Sequence, residues 1–255
     1  MLSYESGSAV HFGGCDGRRL QPRGPRLMKA TVAAALMLAL LVLALPLQSA
    51  LASRRRRKPS ELGSAKLMRY ARTIVVLWTL CGLAVYALAL HGLSPRDVGL
   101  RPPRSIVDLF LGAAVVIALL ASGRRRPADG EYLQAIRAVV PSSRAEWALF
   151  LPLALSAGVC EEFLYRGYAL TVIASLSGSL IVGVCLSSLA FGAAHAYQGR
   201  TGMLAAFGSG LFYAALFLYT GSLYPCMLGH FAQDLCGAAL LSGALRRGMF
   251  ATRES

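Results

Sequence analysis

Residues Trp147–Ile173 read WALFLPLALSAGVCEEFLYRGYALTVI. The run is apolar over more than the ~20 residues that a helix needs to cross a bilayer. Yet it holds Glu161, Glu162 and Arg166 in its interior. Working outward, similar apolar blocks recur at Ala30–Ala52, Thr73–Leu90, Ser105–Ser122, Leu180–Tyr197, Met203–Thr220 and Tyr224–Leu245. The pattern predicts an all-α, polytopic transmembrane bundle of about seven spans. Composition agrees: 56% of residues are hydrophobic and 15% charged, against about 25% charged in soluble domains. Mean hydropathy is +0.55. A soluble α/β enzyme is thereby excluded. A β-barrel is excluded too, because it needs short alternating segments, not long Leu/Ala/Gly-rich blocks.

The chain divides into four parts. Residues 1–29 are Gly/Arg-rich, lack periodicity and read as a disordered tail; Met28-Lys29 ahead of an apolar run also reads as a natural start, which would leave that tail untranslated. Residues 30–144 hold the N-terminal spans and basic loops. Residues 145–245 hold the last four spans, joined by very short loops and therefore expected to form one compact core. Residues 246–255 form a C-terminal tail. Ala50-Leu51-Ala52 resembles a signal-peptidase site, but the preceding run exceeds the ~7–15 residues of a signal h-region, so a transmembrane helix is the reading preferred. Ser94–Arg104 is a Pro/Arg-rich connector. Glu131–Val140 reads as a short amphipathic interfacial helix ended by Pro141.

Lys and Arg total 26 against 12 acidic residues, a net charge of +14. The basic residues cluster between apolar blocks, as at Arg54–Lys58, Arg124–Arg126 and Arg246-Arg247. That is the pattern of membrane loops beside anionic lipid, not of a nucleic-acid-binding face. Alternate loops together with the C-terminal tail carry 17 of the 26, which places the C-terminus in the cytoplasm. Of six cysteines, only Cys15 lies outside the apolar blocks. No CxxC pair or metal-ligand spacing is present, so they read as packing residues.

An ionisable group at the bilayer centre costs about 2.5–3.5 kcal/mol on insertion scales. Glu161, Glu162, Arg166, His195, His230 and Asp234 all lie deep within the last four spans. Glu162 and Arg166 are four apart, share a helix face and can pair as structural support. Glu161 lies roughly 100° around the helix and is free for chemistry. His230 and Asp234 are also four apart, and Asp234 can orient the imidazole. His195 follows Phe191 by four, and Phe191 reads as a cavity wall. Tyr165 and Tyr168 read as packing or interfacial residues, and Asp108, His91 and His11 as unremarkable. Three spans thus bring polar groups that one shared cavity would satisfy. One Arg cannot balance three acids, so a protonated His or a neutral carboxyl is required, as an acid–base site demands.

In these residues the chain resembles the CPBP (ABI) intramembrane glutamic proteases, the type II CaaX prenyl endopeptidases and their bacterial relatives. The family motifs EExxxR, FxxxH and HxxxN/D appear in order as Glu161–Arg166, Phe191–His195 and His230–Asp234. The resemblance implies a metal-independent intramembrane endopeptidase that needs no cofactor. Glu161 would activate water, His195 would assist and position it, and His230 and Asp234 would face the oxyanion. Glu162 and Arg166 would hold the geometry. The partners implied are the bilayer and a membrane-embedded or lipidated peptide, such as a CaaX protein, a sorting signal or a leader; the location implied is a bacterial plasma membrane. The prenyl endopeptidases carry Asn where Asp234 stands, and an ionised Asp cannot donate to an oxyanion.

Other readings compete. A zinc metalloprotease could use His195, His230 and a carboxylate, although no HExxH pair is present. A scaffold, sensor or bacteriocin-immunity protein could share the fold without catalysis. A proton-coupled transporter would need a through-going polar path, to which the first three spans add almost nothing.

Overall fold

A computed structural model describes residues 25–54, 64–121 and 130–246. Most of the N-terminal tail, two basic loops and the end of the chain lie outside these residues, as do the readings that fall on them. Every element among the described residues is helical. The helices are α1 (Pro25–Ala39), α2 (Leu45–Arg54), α3 (Ser64–Leu90), α4 (Ile106–Ala121), α5 (Gly130–Val139), α6 (Arg144–Glu162), α7 (Leu170–Ser177), α8 (Leu180–Ala194), α9 (Gly199–Thr220) and α10 (Tyr224–Arg246). A π-helical stretch, Leu40–Ala44, joins α1 to α2, and a second, Phe163–Ala169, joins α6 to α7. The first helix begins at Pro25, five residues ahead of the Ala30 boundary drawn from hydropathy.

Among the described residues four segments are long and apolar enough to cross a membrane: Lys29–Ala52, Ala65–Leu90, Arg144–Ser177 and Ala196–Thr220. Ile106–Ala118 and Leu180–Ala194 are shorter apolar helices. The 23-residue α10 is outside this set, its apolarity diluted by His230, Gln233 and Asp234. Large apolar side chains face outward on many helices, among them Leu36, Leu43, Val75, Trp78, Ile181 and Leu189. In water such a surface would drive aggregation; in lipid it is the matched solvent.

Helix pairs α4–α10, α8–α9, α3–α6, α7–α8 and α6–α10 form the bundle. Two glycines let α4 and α6 approach α10 closely. A Cβ on Gly158 of α6 would lie 2.9 Å from the Met227 carbonyl oxygen and 3.0 Å from the Phe231 nitrogen of α10. A Cβ on Gly112 of α4 would lie 2.5 Å from the Pro225 carbonyl oxygen. Small residues let membrane helices pack backbone to backbone in this way. Within the Pro/Arg-rich connector, Pro95–Val98 forms a 3-10 turn packed against the second π-helical stretch. Asp97 caps that turn, accepting hydrogen bonds from the Ser94 amide and hydroxyl, both at 2.7 Å. These bonds hold its carboxyl below the usual range.

Helix α5 is the short helix expected ahead of Pro141. Its end is fastened by α3. The consecutive carbonyls of Ala138, Val139 and Val140 accept from Arg69 Nη2 (3.2 Å), the Tyr70 hydroxyl and Lys66 Nζ (2.6 Å) respectively. Terminal carbonyls of a helix have no partner within it, and here basic and phenolic side chains supply one. Lys66 Nζ also donates to Glu146 Oε2 at 2.9 Å. The same carboxylate oxygen accepts from the Ser142 amide (2.7 Å) and hydroxyl (2.9 Å). In turn α5 packs on α9 and on the 3-10 turn Ala196–Gln198, which directly follows His195.

Candidate functional site

The polar residues of α6, α8 and α10 meet where these helices converge. Glu161 and Glu162 end α6, and the helix then widens into the π-helical stretch holding Arg166. Such widenings insert a residue and recur at functional sites. Arg166 Nη1 donates to Glu162 Oε1 at 3.0 Å, so the predicted pair forms although Arg166 sits in π geometry. His230 Nδ1 donates to the same oxygen at 2.8 Å. Glu162 is wholly buried, and Arg166 is 1% exposed. Glu162 therefore anchors an Arg from its own chain segment and a His from α10 at a single atom.

That pairing settles which nitrogen of His230 faces Glu161 and Asp234. With Nδ1 engaged by Glu162, Nε2 points inward, 3.9 Å from Glu161 Oε2 and 3.9 Å from Asp234 Oδ1. Sequence spacing offered Asp234 as the residue that orients His230. In the structure Glu162 holds Nδ1, while Asp234 stands beyond hydrogen-bond distance from Nε2. The i,i+4 rule sees neighbours on one helix and cannot see a carboxylate arriving from another.

His195 caps the C-terminal end of α8. Its Nδ1 donates to the Phe191 carbonyl at 2.8 Å, which turns Nε2 toward Glu161 Oε2 at 4.0 Å. Glu161 Oε2 thus lies about equally far from two imidazole nitrogens. Separations of this size suit a bridging water better than a direct bond. Glu161, His195 and Asp234 are the partly accessible members, with side chains 18%, 18% and 32% exposed. Glu162, Arg166 and His230 lie behind them. Among the described residues no three His, Cys, Asp or Glu side chains form a group that could hold a metal ion.

Aromatic rings wall the site. Phe191 lies 4.6 Å from the His195 ring and, edge-on, 6.0 Å from His230. The Arg166 guanidinium sits 4.3 Å over the Phe191 ring, a cation–π contact strengthened by burial. Tyr165 packs against Phe191, and both Tyr165 and Tyr168 are buried. The described cysteines are free, and Cys81 and Cys226 make sulfur-to-carbonyl contacts.

Three participants were not singled out from sequence: Ser209, Tyr213 and Gln233. The Tyr213 ring stacks on His230 at 5.7 Å and 14°. Its hydroxyl donates to Gln233 Oε1 at 3.1 Å, and Gln233 Nε2 donates to Ser209 Oγ at 3.3 Å. The available signal was an amide at Gln233 inside the third motif and a Ser and Tyr spaced by four on α9. The first span also reaches the site's edge: Ser49 Oγ of α2 accepts from the Tyr197 amide at 2.9 Å.

Residues 143–236 match the model of a family described as type II CAAX prenyl endopeptidase Rce1-like. The matched stretch runs from the cap of α6 to two residues past Asp234 and includes all three motifs. No curated protein and no solved structure matches the chain.

Proposed function

We propose that this chain, Rce1-like over residues 143–236, is an intramembrane endopeptidase that hydrolyses a peptide bond with a water activated by Glu161 and His195. The observation that carries the reading is the placement of Glu161 Oε2 between His195 Nε2 and His230 Nε2, at 4.0 and 3.9 Å. A water seated there gives one hydrogen to the carboxylate and the other to His195 Nε2, whose lone pair is free because Nδ1 holds the proton. Glu161 takes a proton as the water oxygen bonds to the scissile carbonyl carbon. His230, carrying both ring protons, donates Nε2–H to the developing oxyanion. Glu161 then passes its proton to the leaving nitrogen as the C–N bond breaks, and the second water proton stays on the new carboxyl group, leaving a carboxylic acid and an amine.

Asp234 does not need to donate in this scheme. It stands 3.9 Å from Nε2, while Glu162 holds the other ring nitrogen at 2.8 Å. Glu162 and Arg166 hold that ring without touching substrate. The substrate is a membrane-embedded or lipidated polypeptide, of CaaX type or a sorting signal or leader. The excess of Lys and Arg in alternate loops favours a cytoplasmic C-terminus.

The test compares membrane peptides from cells making the native protein with those from cells making Glu161→Gln. A terminus present only with the native protein identifies both activity and substrate. Loss of at least about 100-fold is expected, the scale of removing a general base. Cleavage undiminished in Glu161→Gln at equal membrane abundance rejects the assignment. A cellular phenotype surviving loss of both Glu161 and His195 rejects catalysis altogether.

A further inference from the structure

We infer that Tyr213, Gln233 and Ser209 are positioning residues that fix the His230 imidazole, closing a brace around Glu162 and Arg166. The inference rests on the endopeptidase reading for its consequence in turnover, but the brace itself is a matter of geometry.

A single hydrogen bond to Nδ1 does not immobilise a histidine ring. The ring can still swing about that bond and carry Nε2 away from the cavity. Two further contacts remove this freedom. Tyr213 lies nearly parallel to the imidazole, at 14°, and Phe191 meets it edge-on, at 90°. The stacking partner is therefore the residue that sets the plane of His230, and it must itself be held.

Tyr213 is fully buried and hydrogen-bonded. Its hydroxyl donates to Gln233, Gln233 donates to the Ser209 hydroxyl, and the Ser209 carbonyl accepts from Arg166 Nη2 at 3.4 Å. Arg166 donates to Glu162, and Glu162 accepts from His230. The chain of contacts returns to the ring where it began. Its corners come from the end of α6, the π-helical stretch, α9 and α10. Ser209 and Tyr213 are four apart on α9, and His230 and Gln233 three apart on α10, so each pair shares a helix face. Glu162 of α6 thus grips the imidazole at its Nδ1 edge, and Tyr213 of α9 covers its face.

None of the three residues is hydrogen-bonded to Glu161 or His195. They act through His230, to which they are tied by one continuous run of hydrogen bonds. Losing one link is expected to loosen the ring without changing how substrate docks.

The experiment uses the full chain in detergent micelles, with ¹⁵N-labelled histidine, and the variants Tyr213→Phe, Gln233→Leu and their double mutant. The native protein is expected to give one sharp, slowly exchanging Nδ1–H resonance for His230, broadened or lost in Gln233→Leu. On the peptide whose terminus depends on Glu161, each single variant is expected to lower kcat by about tenfold with KM within about twofold, the scale of one hydrogen bond to a catalytic group. The double mutant is expected to fall no further than Gln233→Leu, because that change already cuts the bond that Tyr213→Phe removes. Tyr213→Leu, which also removes the stack, is expected to fall further if it accumulates. An unchanged Nδ1–H resonance in Gln233→Leu overturns the brace, as do additive kcat losses in the double mutant. If no terminus depends on Glu161, the endopeptidase reading fails, and the resonance alone decides the brace.

Discussion

Arg166 has four simultaneous engagements: Glu162 Oε1, the Ser209 carbonyl, the Phe191 ring and the Tyr213 ring. Only a planar guanidinium can make a directed pair and a face-on stack at once. Replacing it with Leu leaves Glu162 buried beside a single partner. The expected cost is about 3–5 kcal/mol, the scale for breaking a buried ion pair, seen as a lowered melting temperature in detergent. Arg166→Lys should restore the charge but not the stack, so stability should recover only in part. The Glu162–Arg166 pair was legible from spacing alone, because both partners lie on one chain segment. The bond from Glu162 to His230 was not, since 68 residues separate them and periodicity carries no information across helices. Ser209, Tyr213 and Gln233 escaped for a different reason: uncharged residues in an apolar run raise no energetic alarm.

At the scale of elements, α6 and α10 must approach closely for the consecutive glutamates to reach His230. Gly158 permits this one turn before Glu161. Gly158→Ala introduces a Cβ 2.9 Å from the backbone oxygen of Met227, where no flexible side chain can yield. A loss of about 1–3 kcal/mol is expected from overpacking, together with a drop in turnover as the helices part. Gly82→Ala on α3 is the matched control. A Cβ there meets nothing within 4 Å, and the helix should gain up to ~1 kcal/mol. Thermal melts of the two variants side by side check both signs. Long apolar helices were readable from hydropathy. The π-helical stretches were not, since an extra residue per turn leaves no mark in a pattern already apolar on every side. The family match covers the readable core and leaves α1 to α5 to be understood from packing.

At the scale of the molecule, the N-terminal helices buttress the site from outside it. Lys66, 3% exposed, meets Glu146, 7% exposed, and ties α3 to both α5 and α6. Lys66→Ala strands the buried carboxylate and is expected to destabilise the chain by about 3–5 kcal/mol. Replacing both partners at once, as Lys66→Met with Glu146→Gln, should recover much of that loss, because no uncompensated charge remains. Melting temperatures of the single and double variants in the same detergent check this. A double variant no more stable than the single would mean that the carboxylate's bonds to Ser142 dominate. The first half of the sequence spoke only of apolarity because its contribution is steric and structural.

The order of the chain adds a temporal consequence. The reactive groups are spread from Glu161 to Asp234, and α2, synthesised among the first helices, closes on the turn behind His195 through Ser49 and Tyr197. No nascent chain stopped before α10 contains the complete constellation. During biogenesis the proposed hydrolytic centre is thus assembled last, from a helix inserted after its scaffold is in place.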